Sequence, residues 1–313
     1  MSQASRLLIV GGTEVSKTDW PPYAAAFAWT GIGSGGWGCG GSLIHADIVL
    51  TAAHCQWVYR YHGAWIGADD IQGGEATFWP TAELILHPEY TDQLPVHNDI
   101  LLVKLNGTVT NVDQFFDYNL DSSIPEDGES LRVIGFGTTS ESGNVSATLR
   151  EVDVDYVGTE TCQDTWPLVN SSLHLCAGTK EGGKDACNSD SGSPLFVWDD
   201  ERMVQVGIVG DGIGCARAGI PSLNTRISHY SEWIHETICR VSSQPPASCG
   251  GSNAASLAVL DSSRWLHSVM MVIFATVLAI SVGFYGGKFF NYSRRRGYHA
   301  VSDKANVEAE LSV

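Results

Sequence analysis

Through most of this chain the apolar residues come in short runs that alternate with polar ones and stop at Gly, Asp or Asn. Ser42–Ala46, Ile48–Ala52, Leu84–His87, Ile100–Leu105, Leu131–Phe136, Pro194–Trp198 and Val204–Val209 all have this form. A period of two puts every second side chain on one face of a pleated strand, and stops this close together leave little room for longer elements. Long amphipathic helical patterns are scarce, whereas Gly, Trp and Tyr are plentiful at 34, 10 and 10 residues. The body of the chain is therefore expected to be all-β with many tight turns. One short helix is expected near its end, over Tyr230–Ile238, with Ser228 as its cap.

The eight cysteines (Cys39, Cys55, Cys162, Cys176, Cys187, Cys215, Cys239 and Cys249) form an even set, and none belongs to a Cys-x-x-Cys pair. That disfavours zinc and favours disulfides formed in an oxidising compartment. Asn106, Asn144 and Asn170 each open an Asn-x-Ser/Thr sequon, which suits the same compartment and marks them as glycosylation candidates. Residues 1–260 carry 12 basic and 31 acidic side chains. So acidic a body repels nucleic acid and favours basic partners or peptides.

Residues 265–287 are almost continuously apolar and contain no acid or base, long enough to cross a bilayer as a helix. Lys288 and Arg294-Arg295-Arg296 follow, so the positive-inside rule places residues 288–313 in the cytosol as a short tail, with the body outside. A small-residue stalk, 241–264, would join the body to this span. At the other end, residues 1–8 do not make a signal peptide and read as a propeptide remnant or a truncated start.

Within the body, Thr51-Ala52-Ala53-His54-Cys55, Asn98-Asp99-Ile100 and Asp190-Ser191-Gly192 supply a His, an Asp and a Ser in that order. A serine hydroxyl becomes a nucleophile only when an imidazole can take its proton, and the imidazole needs a carboxylate to hold its tautomer. In these motifs the chain resembles the chymotrypsin/trypsin family of serine proteases, over roughly Ile9–Ile238. The resemblance implies two antiparallel six-stranded β-barrels over residues 9–240, meeting near 115–130, with a short C-terminal helix. His54, Asp99 and Ser191 would be catalytic, and the backbone N–H groups of Ser189 and Ser191 would form the oxyanion hole. It also implies the pairs Cys39–Cys55, Cys162–Cys176 and Cys187–Cys215, leaving Cys239–Cys249, which lies outside the usual pattern.

The same resemblance implies activation by a cut before Ile9-Val10-Gly11-Gly12, after which the Ile9 ammonium would pair with Asp190. Leu8 precedes that bond, so an enzyme preferring basic residues would need a separate activating protease. Asp185, six residues before Ser191, stands where the trypsin-like branch carries the acid that pairs a substrate Arg or Lys. Gly210, Gly212 and Ser222 would line the rest of that pocket.

Some positions depart from the family pattern. Ser189 and Ser193 replace glycines around the nucleophile, where a side chain could disturb the oxyanion donor. Gly210 and Asp211 stand where a serine and a tryptophan are usual, and Ser222 where a glycine is. Asp69, Asp70 and Glu75 follow Gly67 but lack a matching acid at Ala68, so calcium is not expected, and neither is any other metal or cofactor. The expectation is a membrane-tethered, trypsin-like endopeptidase acting on polypeptides at the cell surface, or shed from it. The departures motivate an alternative: a catalytically weak homologue acting as a binding protein or inhibitor. A passive adhesion receptor is a third reading.

Overall fold

The computed structural model describes residues 9–15, 25–29, 38–67, 69–70, 76–93, 95–110, 112, 114–199 and 202–250. The chain divides into two compact units, Met1–Pro246 and Ala247–Val313. The span expected over 265–287, most of the stalk, the cytosolic tail, residues 1–8, Ala68 and Glu75 lie outside the described residues. Among the described residues no helix is long and apolar enough to cross a membrane.

After a two-residue strand β1 (Thr13–Glu14), seven strands form a first sheet: β2 (Ala25–Trp29), β3 (Gly38–His45), β4 (Ile48–Thr51), β5 (Ala64–Ile66), β6 (Thr77–Trp79), β7 (Thr81–Leu86) and β8 (Leu101–Leu105). Their order is β6-β5-β2-β3-β4-β8-β7. Between β6 and β7 stands only Pro80, which has no amide hydrogen to give a ladder. The two are halves of one strand bent at that proline, and through it the sheet returns on itself as a six-stranded barrel.

Seven more strands follow: β9 (Asp117–Tyr118), β10 (Ser130–Gly135), β11 (Arg150–Val157), β12 (His174–Gly178), β13 (Pro194–Asp199), β14 (Arg202–Asp211) and β15 (Ser222–Arg226). They run β11-β10-β13-β14-β15-β12, and β11 pairs again with β12, closing a second six-stranded ring. β1 adds to β11 outside the ring, and β9 lies parallel to β14.

Burial follows the pattern read in the sequence. Val152 and Val154 of β11 are buried while Asp153 and Asp155, which alternate with them, are exposed. All four residues of β4 are buried, so both of its faces are covered, and β3 and β8 pair with its two edges. The barrels share a core that takes in Leu43 and Ile44 of the first and Phe196 and Ile208 of the second. A buried bond from Ser42 Oγ to Gln205 Oε1 (2.5 Å) crosses the same seam.

Among the described residues three helices complete this unit: α1 (Gln56–His62), α2 (Thr159–Gln163) and α3 (Ser231–Val241). The expected cap of the last is corrected. A 3-10 turn over Ile227–Tyr230 precedes α3, its N-cap is Tyr230, and the Ser228 hydroxyl is buried without a hydrogen-bond partner. The Ser228 carbonyl instead accepts from Ser231 Oγ (3.2 Å), so the turn consumes the residue that spacing marks as a cap.

Candidate active site

His54 leaves the end of β4 in a 3-10 turn, Ala53–Cys55. Its backbone N–H donates to Asp99 Oδ1 (2.9 Å), and its Nδ1 lies 2.7 Å from Oδ2 of the same carboxylate. Asp99 is 5% exposed. It sits just before β8 because Asn98 adopts a left-handed φ of 54°, a conformation asparagine tolerates. Asn98 is held on both sides: its Nδ2 donates to Glu89 O (2.8 Å) and its Oδ1 accepts from Tyr230 (3.1 Å). From the second barrel Thr225 Oγ1 donates to the Asp99 carbonyl (2.9 Å). Burial opposes protonation of His54, but the hydrogen bond and charge of Asp99, with the charge of Asp211, hold its pKa above the ordinary imidazole value.

Ser191 lies in a tight loop ahead of β13. Asp190 N donates to Cys187 O and Ser193 N to Asp190 O, each at 2.9 Å. The Cys187–Cys215 disulfide anchors the loop's start. Its far side meets the first barrel: Gly40 N donates to Ser191 O (2.8 Å), and neighbouring Cys39 is bonded to Cys55, the residue after His54. One strand residue and one disulfide therefore tie the serine to the histidine. Gly192 is required there. Its φ is 84°, and a Cβ would come within 2.2 Å of Thr51 Oγ1 and 2.5 Å of Gly40 O.

Two substituted glycines behave differently. Ser193 is buried, and its hydroxyl occupies room left by Gly40, whose own Cβ would lie 1.9 Å from it. That exchange is accommodated. Ser189, by contrast, holds a left-handed φ of 71° with a side chain attached, a conformation that costs on the order of 1–3 kcal/mol outside glycine. Among the described residues neither the Ser189 nor the Ser191 N–H donates a hydrogen bond.

Asp190 is fully buried, with Oδ1 accepting from Gly137 N (2.8 Å) and Oδ2 from Cys187 N (2.9 Å). Burial pushes its carboxyl up to about 7, despite those two N–H donors and with the charge of Asp185 adding to the effect. Asp185 is 5% exposed and accepts from Ala216 N (2.9 Å) at Oδ2; burial raises it to about 6. Among the described residues no Lys, Arg or His forms an ion pair with either acid. Ile9 is completely buried, and Val10 O accepts from Asp185 N (3.1 Å), so the segment expected to insert is packed beside Asp185.

Of the other residues expected to line the pocket, Gly210 lies on β14, Gly212 directly follows that strand and Ser222 opens β15. A Cβ on Gly210 would meet Leu223 O at 2.5 Å, so the serine usual there has no room. The Gly210 N–H goes to Asn224 Oδ1 (3.2 Å). Ser222 turns its hydroxyl to Ala177 O (3.0 Å), and Asn224 Nδ2 donates to it (3.1 Å). Asn224, Thr225 and Tyr230 carry no motif, so their part in fixing Gly210 and Asp99 was hidden in the sequence. Cys162–Cys176 is a third disulfide, Cys239 and Cys249 are also disulfide-bonded, and no described cysteine is free. Asn106, Asn144 and Asn170 are exposed.

Two β-barrels meeting at a His–Asp pair beside a constrained serine loop define the class, a serine endopeptidase. Residues 9–234 match the Trypsin family model. The chain is 35% identical to Trypsin-1 of Astacus astacus over 241 residues, 72% of this chain and 98% of that protein. It is 35% identical to a Trypsin of Squalus acanthias (74% and 97% covered) and 34% to Cationic trypsin-3 of Rattus norvegicus (74% and 89%). The chain belongs to the trypsin family.

Proposed function

We propose that this chain hydrolyses polypeptides on the carboxyl side of Arg and Lys. Ser191 attacks the scissile carbonyl while His54 takes its proton and returns it to the leaving amine. Asp99 holds the imidazole tautomer and supports its positive form. The N–H groups of Ser189 and Ser191 receive the oxyanion. The observation that carries the specificity is Asp185, a carboxylate 5% exposed with no cationic partner among the described residues. A buried charge of this kind favours a ligand that brings the opposite charge and disfavours an uncharged one. Asp190 supports activation by the same reasoning, since an ammonium freed at Ile9 would meet a buried acid.

The enzyme is proposed to act outside the cell, tethered by residues 265–287 and glycosylated at Asn106, Asn144 and Asn170, after an activating protease cuts before Ile9. The test uses the chain cut before Ile9, with amide substrates ending in Arg, Lys, Phe and Ala, beside a Ser191→Ala control. Cleavage after Arg and Lys alone, lost in the control, is expected. A second reading, a weak homologue that binds rather than cleaves, draws on Ser189 at φ 71°. Rapid covalent labelling of Ser191 by an organophosphonate excludes it, and no labelling of folded, cut protein establishes it.

A further inference from the structure

Asp211 has no role in the chemistry just described, yet the fold puts it among the residues that perform it. It ends β14. Two residues earlier on that strand, Val209 is laced to the nucleophile loop: Gly192 N donates to Val209 O (2.8 Å) and Val209 N to Ser193 O (2.9 Å). Across the sheet Asp211 is in register with Leu223 of β15, and two residues beyond Leu223 is Thr225, which holds Asp99. On its other side Gly212 faces Ser222, whose Cβ lies 4.0 Å from a Cβ built on that glycine. Residues 212–215 then lead to Ala216, whose N–H binds Asp185. Asp211 thus stands on the pocket side of the cleft, where the substrate residues preceding the scissile bond must lie when a side chain occupies the Asp185 pocket.

The carboxylate is set rather than free to wander, because Oδ1 accepts from Gly212 N (2.7 Å). The residue is exposed, and among the described residues no Lys, Arg or His forms an ion pair with it. Its charge adds to that of Asp99 in holding the His54 imidazole above its ordinary pKa. An apolar wall at this position would select by area; a fixed carboxylate selects by charge.

Resting on the proposed cleavage after Arg or Lys, we propose that Asp211 is a second cation-recognition group. It takes a Lys or Arg side chain of the polypeptide substrate within three residues on the amino side of the residue held by Asp185. The enzyme therefore selects segments that carry two basic residues close together.

The test compares substrates within one protein, so that any effect of Asp211 on His54 cancels. The full chain, cut before Ile9, is given peptide amides ending in Arg, with Lys or Gln placed at each of the three preceding positions. At low salt kcat/KM is expected to favour Lys at one of them by about three- to tenfold, mainly through KM, with the preference shrinking as salt is added. Asp211→Asn, which keeps the Gly212 hydrogen bond, is expected to remove the preference, and Asp211→Lys to reverse it. Equal use of Lys and Gln substrates by the wild-type chain, or a preference that survives in Asp211→Asn, overturns the proposal. Equilibrium binding of the same peptides to a Ser191→Ala chain separates the two readings. Tighter binding of the Lys peptides, lost on adding Asp211→Asn, upholds the subsite even where wild-type protein cleaves nothing; equal binding of both peptides rejects it.

Discussion

Ser189 and His54 give the sharpest expectations at single positions. Ser189, whose N–H is proposed to receive the oxyanion, is held at φ 71°. Ser189→Gly removes a strained side chain, and a gain of about 1 kcal/mol is expected, some 2–4 °C in melting temperature. If the strain also disturbs the donor, kcat rises with KM unchanged. A melting temperature that stays level or falls in this variant would show that the serine is at ease there. For His54 the sign follows from its proposed role as general base. The base must be neutral, and the charges of Asp99 and Asp211 favour the protonated form. The acid limb of a kcat/KM profile is therefore expected above the ordinary imidazole value, with Asp211→Asn moving it to lower pH. A limb that does not move with this substitution would place the charge of Asp211 outside the cleft.

At the scale of elements, the chain leaving α3 is tied to the first barrel by a knot around Asp47, in the turn between β3 and β4. Asp47 is fully buried, and Lys104 Nζ pairs with it. It also accepts from Ser242 Oγ (2.8 Å), Ser243 N (2.8 Å) and Ser243 Oγ (2.5 Å). Burial alone would push its carboxyl up, but Lys104, Ser243 and Ser242 together hold it well below the usual carboxylate range. A depressed acid contributes stability that is present above its unfolded pKa near 4 and is lost as the pH falls below it. Asp47→Asn leaves Lys104 without its carboxylate at a largely buried site, and a loss of about 3 kcal/mol is expected in denaturant melts at pH 7, shrinking toward pH 3. The same loss at both pH values would mean that the hydrogen bonds, rather than the charge, fasten α3.

For the whole molecule, the two buried acids Asp185 and Asp190 oppose the usual rise of stability with pH. Their folded pKa values, about 6 and about 7, lie above the unfolded value of 3.8. They favour the fold at low pH, and that contribution is lost as the pH rises through 6 and 7, at up to about 1.4 kcal/mol per pH unit for each group. Cutting before Ile9 offers Asp190 an ammonium, so the melting temperatures of cut and uncut chain are expected to diverge between pH 4.5 and 7.5, with the cut form higher. Parallel curves would mean that the Ile9 ammonium never reaches Asp190.

The sequence by itself determined the β class, three disulfide pairs by resemblance, and the motif residues His54, Asp99 and Ser191. Strand periodicity and short catalytic motifs are local, and a run such as Ile48–Thr51 carries its burial in its own composition. What the tertiary structure alone decided were matters of contact between distant segments. Asn224 and Thr225 matter because β15 lies against β14 and reaches Asp99. Ser193 is harmless because Gly40, more than 150 residues away in the chain, leaves room for it, whereas Ser189 keeps its side chain at a left-handed φ. Ser228 looks like a cap until the 3-10 turn takes its place. Pro80 splits one strand into two without opening the barrel. In each case the deciding quantity is a distance or a backbone angle set by packing, and packing is a property of the folded chain rather than of any window along it.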